Sequence, residues 1–406
     1  MIETGVAGFV ILLMVTAAVA VLVRRIPIPY VTALALVGAV AGSLLHVSPA
    51  FPLTRPLILF VLLPGLLFEA GFNLDWRRLR DDALVVAILA TVGVLLTAGL
   101  IGGLGHFLLG LALPVSFLLG SILAATDPVA VVAMFRRLGV PARLATIVEA
   151  ESLVNDGTGV VLFTIALGIV LSGSFQPIGA ILQFLQLSVG GIGVGIAVGY
   201  VLSRLTMRID DADVEITFTA IAAYGSYLLG EAIHVSGILA VVAAALVMGS
   251  YGRTRGMSQH TQAALTTFWD YVAFILNSLV FLLIGLELPW TNLLGLGWAV
   301  VAAWAITLLA RAVSVYGVLG VLRPLGQRVS WRWQHTIVWS GIRGAVAIAL
   351  ALSLGEQTGP HFPELRTLAY GVVLLSITIQ GLTIGPLSRT MLESDAASSN
   401  SGEKRR

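Results

Sequence analysis

The chain has 406 residues, 58% of them hydrophobic and only 11% charged, with a mean hydropathy of +0.98. Soluble domains carry about a quarter charged residues, so a soluble globular fold is excluded. There is no cysteine, which removes disulfides, thiolate chemistry and cysteine metal sites, and the formal net charge of +2 says less than where the charges sit.

Long uncharged stretches recur from end to end, each near the roughly 20 residues that cross a bilayer as a helix. They divide into thirteen expected spans: 4–23, 29–45, 56–72, 83–107, 114–138, 144–171, 177–203, 212–232, 234–250, 264–288, 292–320, 333–354 and 367–388. The first lacks a basic leader and a small-residue cleavage site, so it reads as a retained span rather than a signal peptide. Arginine placement tests the count. Odd-numbered connections and the tail hold 19 of the 23 Lys and Arg residues, whereas even-numbered connections hold only Arg55 and Arg366. A miscounted helix would scramble that partition, and it orients the N-terminus outside and the C-terminus in the cytoplasm. The tail, 394–406, is small and polar and reads as disordered.

Span five contains "AATDPVAVV", where Pro128 removes a backbone donor and disfavours helix at Asp127, predicting a break in mid-membrane. Span twelve contains "SGIRGAVAIAL", where Gly341 and Gly344 flank Arg343 and permit a similar break. An odd separation of seven spans makes the two helices run in opposite directions. Matching interrupted helices in oppositely oriented halves point to an inverted-repeat transporter with its site at the midplane.

Between them lies "TIVEAESLVNDGTGVVLF", which puts Glu149, Glu151 and Asp156 into span six. Ser152 and Asp156 are i,i+4 neighbours, Glu149 lies three residues before Ser152 on that face, and Glu151 and Asn155 form a second i,i+4 pair beside them. An intramembrane carboxylate is costly and functional by default. Glu151 has a candidate ion-pair partner in Arg343, whereas Asp156 has no equally obvious basic partner. Asp156 is therefore expected to bind a cation or a proton. Burial disfavours its bare charge, so either species neutralises it, and competition for one carboxylate couples two gradients. A hard monovalent cation wants oxygen ligands, which Asp156, Ser152, Thr126 and Glu69 could supply. Asp127 would offset the positive N-terminal ends of half-helices meeting at the breaks, and Arg343 the negative C-terminal ends.

These residues also carry a resemblance. "ATDPVAVVAMFRRLGVPARL", "EAESLVNDGTGVVLF", "SGIRGAVAIALAL" and, in span three, "LLPGLLFEAGFNLDWRRLR" are similar to the monovalent cation/proton antiporters, specifically the NhaP-like branch that includes the eukaryotic sodium/proton exchangers. The resemblance implies an all-α polytopic membrane protein with an NhaA/NhaP-like antiporter fold, two crossed broken helices and a homodimeric assembly. It implies an exchanger domain over 1–393, with spans four to six and eleven to thirteen as a moving core and spans one to three and seven to ten as a dimerisation scaffold. It assigns cation and proton exchange to Asp156 and cation ligation to Ser152. It also puts the family's threonine and aspartate of the broken helix on Thr126 and Asp127, the acid of the third span on Glu69, the mark of the electroneutral branch on Asn155, and a buried acid–arginine pair on Glu151 and Arg343. The expected activity is exchange of sodium, lithium or potassium for protons across the plasma membrane, serving pH and sodium homeostasis, with no cofactor and no nucleic-acid partner.

Other polar residues attract less. His46, His106, His234, His260, His335 and His361 show no metal-ligand spacing. Asp270 and Glu287 lie near the ends of span ten, and Arg311, inside span eleven, has no assigned partner. "GGIGVGIAVGY" (190–200) lies in an apolar span and reads as small residues for close helix packing, not as a dinucleotide loop. A hydrolase lacks its nucleophile–base set, with Lys404 the sole lysine and no HExxH. A passive channel would not need two oppositely oriented breaks. A potassium/proton antiporter, or another proton-coupled transporter on the same architecture, is the remaining alternative.

Overall fold

Inside a bilayer a segment must satisfy its own backbone hydrogen bonds, which leaves helices and closed barrels. Every regular element among the described residues of this computed structural model is helical; those residues are 2–26, 28–44, 52–327, 329–356 and 361–391. The expected tail and His46 lie outside them.

The helical segments follow the sequence spans in order. Span one is Ile2–Val23, two Tyr30–Leu44, three Leu57–Asn73, four Ala83–Leu109, five Leu113–Leu138, six Ala142–Ser172 and seven Pro177–Thr206. Span eight is Ala212–Ala232, nine Gly237–Arg255, ten Gln259–Leu286, eleven Gly297–Leu325 and thirteen Phe362–Met391, while span twelve comprises two pieces, Trp331–Trp339 and Ala345–Ser353. Boundaries moved where caps decide them. Span ten starts at 259 rather than 264 because the Ser258 hydroxyl accepts the Thr261 N–H. Span thirteen starts at 362 because Pro363, which needs no donor partner, occupies its first turn.

Small residues set the tightest contacts. Gly191, Gly195 and Gly199 recur every four residues on span seven, and a Cβ on any of them would meet span nine or the turn before it, at Ser236, Ala240 and Ala244 respectively. The glycine-rich run is thus a packing seam, as its composition predicts. Spans six and four are joined by Arg143 and Asp82 at 2.6 Å. Buried Trp269 of span ten lies 4.8 Å from the Phe68 ring of span three and donates to Thr219 of span eight at 3.0 Å.

Four stretches wind as π-helix: Leu57–Leu62, Leu89–Gly93, Met248–Gly252 and Ser376–Gln380. Such wide turns free carbonyls from the regular ladder. Three are taken up across the fold: Ser314 of span eleven donates to the Gly93 carbonyl at 2.7 Å, Tyr224 of span eight to that of Val61 at 3.1 Å, and Thr32 of span two to that of Ile377 at 3.3 Å.

Candidate functional site

Both expected breaks are present, and they touch. Span five stops at Ala124 and resumes at Val129, with Ala125 extended before Pro128. Span twelve stops at Trp339 and resumes at Ala345. The two unwound stretches meet where the Asp127 N–H donates to the Ile342 carbonyl at 2.6 Å.

Four half-helix ends converge there, and two side chains serve three of them; the fourth is met by Gln380, whose Nε2 donates to the Trp339 carbonyl at 3.0 Å. The Asp127 carboxylate accepts the Val129 N–H at 3.1 Å and the Ala345 N–H at 3.4 Å, so one negative charge faces the N-terminal ends of both second halves. Arg343 Nη1 donates to the carbonyls of Ala124 at 2.7 Å and Ala125 at 2.9 Å, covering the C-terminal end of the first half of span five. Its backbone N–H donates to Ser376 in the π-helical part of span thirteen at 3.1 Å.

Span six supplies the other half of the site. Asp156 lies fourteen residues from Ala142 and sixteen from Ser172, roughly 21 and 24 Å along the axis and so near mid-helix. Asn155 acts as a two-sided clasp. Its Oδ1 accepts the Thr126 N–H at 3.1 Å, while its Nδ2 donates to Thr126 Oγ1 at 2.7 Å and to Glu151 Oε1 at 3.0 Å. The Ser152 hydroxyl donates to the Thr126 carbonyl and lies 3.2 Å from its hydroxyl. Ser152, Asn155 and Thr126 are therefore knit into one buried polar knot at the span-five break.

Glu151 is paired differently from expectation. Its carboxylate takes a bidentate grip from Arg311 of span eleven, Nη1 at 2.8 Å and Nη2 at 2.7 Å, not from Arg343. Arg343 instead directs its Nη1 to the orphan carbonyls of the broken helix, while its Nε and Nη2 are buried without a hydrogen-bond partner among the described residues. Arg311, whose partner the sequence left open, is thereby accounted for.

Asp156 stands apart from these neighbours. It is 7% exposed and accepts no hydrogen bond from any described residue. It borders a cavity of about 70 Å³, together with Glu69, Thr126, Asp127 and Glu149. Glu69 of span three accepts from Asn73 Nδ2 at 3.0 Å, and the same amide lies 3.5 Å from Asp270 of span ten. Three of the four expected ligands, Asp156, Thr126 and Glu69, thus line one cavity. Ser152 adjoins it through Thr126.

Glu149 belongs to this wall as well, although the sequence reading gave it no role in binding. It precedes Asp156 by seven residues, two helical turns, so the period alone places both on one face. Its carboxylate lies 4.0 Å from Arg136, at the arginine-rich end of span five. Asn73 and Asp270 were not singled out as a pair because they come from spans three and ten, far apart in the chain.

Comparison with known proteins agrees with this geometry. A family model described as "Sodium/hydrogen exchanger, transmembrane" matches residues 10–390. The chain is 40% identical over 364 residues to the Na(+)/H(+) antiporter ApNhaP of Aphanothece halophytica, covering 88% of this chain and 68% of that protein. It is 36% identical over 396 residues to the Na(+)/H(+) antiporter NhaH of Halobacillus aidingensis, covering 94% and 96%. Its fold superposes on the sodium proton antiporter MjNhaP1 of Methanocaldococcus jannaschii with a TM-score of 0.80 at 22% identity, covering 96% of this chain and 99% of that one. Crossed broken helices, a carboxylate-lined cavity at their side and a match over nearly the whole length lead to one conclusion: the chain belongs to the sodium/hydrogen exchanger family.

Proposed function

We propose that the chain is a sodium/proton antiporter in which Asp156 takes a sodium ion and a proton in alternation. The observation that carries the reading is a contrast within span six. Glu151 is held by three donors from Arg311 and Asn155, whereas Asp156, five residues on, has none among the described residues and faces a cavity. Glu151 is a structural anion. Asp156 must be neutralised by what enters. The antiport named for the relatives supports the same reading.

In this reading Glu69 and the Thr126 and Ser152 oxygens complete the cation's shell, with lithium and potassium as further substrates to test. One exchanging carboxylate beside an amide moves one proton per cation, hence no net charge. The nineteen-to-two partition of Lys and Arg supports a plasma-membrane exchanger with its N-terminus outside and its C-terminus in the cytoplasm. The ties among spans five, six, eleven and twelve support their motion as one core. The glycine seam of spans seven and nine supports a separate scaffold. Span seven leaves Ile178, Leu182 and Val189 exposed on an apolar face, in keeping with a homodimer built on that scaffold.

The test is sodium-induced proton movement in proteoliposomes under an imposed pH gradient, with and without the potential clamped. Sodium-dependent dissipation should be insensitive to potential and absent in Asp156→Asn, which should still elute as folded protein. Full transport by Asp156→Asn would end the assignment, and a response to potassium alone would move the substrate.

A further inference from the structure

Asn277 of span ten lines the Asp156 cavity together with Glu69 and Glu149, yet takes no part in the polar knot at the span-five break. It is partly buried, and its side chain makes no hydrogen bond with any described residue. An amide in a membrane span ordinarily bonds across a helix contact, and one left unbonded is costly unless it meets water or an ion. The residues around it are tied down. Phe274 stacks on Tyr30 of span two at 5.3 Å, the Ser278 and Tyr30 hydroxyls lie 2.7 Å apart, and the Leu276 side chain fills the space that a Cβ on Gly65 of span three would need. Spans two and three thus fix span ten on both sides of Asn277 and leave its amide free.

The placement of Asn277 parallels that of Asp156. Spans six and ten are both even-numbered and run the same way through the membrane. Glu149 precedes Asp156 by seven residues on one, and Asp270 precedes Asn277 by seven on the other; seven residues are about 10 Å of helix. Glu149 lies 4.0 Å from Arg136 at the arginine-rich end, and across from it Asp270 approaches Asn73, which donates to Glu69. Each wall therefore carries a carboxylate towards the arginine-rich side and an oxygen ligand two turns deeper. Asp156 and Glu149 belong to the core, Asn277 and Glu69 to the scaffold. Asn277 also borders a cavity of about 100 Å³ between Tyr30 and Phe274 on the scaffold and Val129, Ala130 and Ala133 in the second half of span five. It stands on the seam between the two parts.

We propose that Asn277 is a cation ligand lent by the scaffold: its Oδ1 joins the shell of the ion on Asp156 while the core stands at this level, and stays behind when the core carries the ion across. The proposal rests on the exchange reading and on the division into core and scaffold. Its chemistry suits a site that must let go. Glu69, Asp127, Glu149 and Asp156 already border the cavity, and the affinity of an oxygen site for a hard cation rises with the number of charged ligands. A further carboxylate would hold the ion against release, whereas an amide adds an oxygen and no charge. Because Asn277 stays with the scaffold, it assists loading from the arginine-rich side alone.

The test is the initial rate of exchange in oriented vesicles, with sodium supplied from one side or the other, for wild type, Asn277→Ala, Asn277→Asp and Ser152→Ala. Asn277→Ala should raise the apparent KM for sodium about fivefold from the arginine-rich side, the loss of one neutral polar contact, and leave it unchanged from the other. Ser152→Ala, whose oxygen travels with the core, should raise it from both. Asn277→Asp should lower the KM from the arginine-rich side and slow the maximal rate, because a carboxylate releases the ion less readily. Should Asn277→Ala not elute as folded protein, Asn277→Ser, with its oxygen drawn back from the cavity, is held to the same outcomes. An equal KM shift from both sides, no shift from either, or a fall in maximal rate with KM unchanged overturns the proposal, the last being what a purely structural residue gives. A wild-type chain that exchanges no sodium for protons from either side sinks the exchange reading and this proposal together. Wild-type exchange with a symmetric Asn277→Ala effect sinks the lent ligand alone.

Discussion

Arg311 and Glu151 join span eleven to span six through two parallel hydrogen bonds, 2.8 and 2.7 Å, both side chains being nearly inaccessible to solvent. Removing one partner of a buried pair strands the other charge. Glu151→Ala and Arg311→Ala should each cost about 3–5 kcal/mol, read as a fall in unfolding temperature in detergent. A double-mutant cycle should give a larger coupling for Glu151 with Arg311 than for Glu151 with Arg343. Equal couplings would return Arg343 to the pair.

The exchange of partners marks a limit of reading by sequence. Pro128 announces the span-five break covalently, and the four-residue recurrence of Gly191, Gly195 and Gly199 announces a packing seam. Ion pairing is different, because Arg343 sits at a conspicuous break and Arg311 in an unremarkable run, and only the fold decides which guanidinium reaches the carboxylate. Glu149 was legible through its seven-residue spacing from Asp156. The Asn73–Asp270 approach, joining spans three and ten, was not. Neither were the π-helical turns, since nothing in "LATVG" or "SITIQ" distinguishes them from ordinary helix.

Asn155 donates to Glu151 and Thr126 and accepts from the Thr126 backbone, so the identity of its amide is constrained on both sides. Asn155→Asp keeps the acceptor but sets a carboxylate 3.0 Å from another, losing two donated bonds. It should lower the unfolding temperature more than Asn155→Ala, which removes the bonds without adding repulsion. The reverse ranking would mean that the amide's size matters more than its donors.

Glu149 should act on arrival of the cation rather than on exchange. Its carboxylate shares the Asp156 cavity yet lies 4.0 Å from exposed Arg136, whose own charge solvent screens. Glu149→Gln should raise the apparent KM for sodium on that side a few-fold while maximal rate stays near wild type, and the difference should shrink as ionic strength rises. A fall in maximal rate with unchanged KM would instead make Glu149 part of the transported ion's shell.

Gly344 tests whether the crossing of the breaks is the working part of the fold. A Cβ at this position would run into the Asp127 carboxylate and its Cβ. Asp127 could escape only by releasing the N–H groups of Val129 and Ala345, and unmade buried hydrogen bonds cost about 1–3 kcal/mol each. Gly344→Ala should therefore lose both stability and exchange. Gly320→Ala on span eleven, where an added Cβ meets nothing within 4 Å, should lose neither. Pairing Gly344→Ala with Asp127→Gly separates the causes. Removing the Asp127 side chain together with its Cβ leaves room for the methyl, so stability should return in part while exchange does not, if the negative charge facing both half-helices is needed for transport. Recovery of exchange in that double variant would show that space at the crossing, and not the Asp127 charge, is what Gly344 preserves.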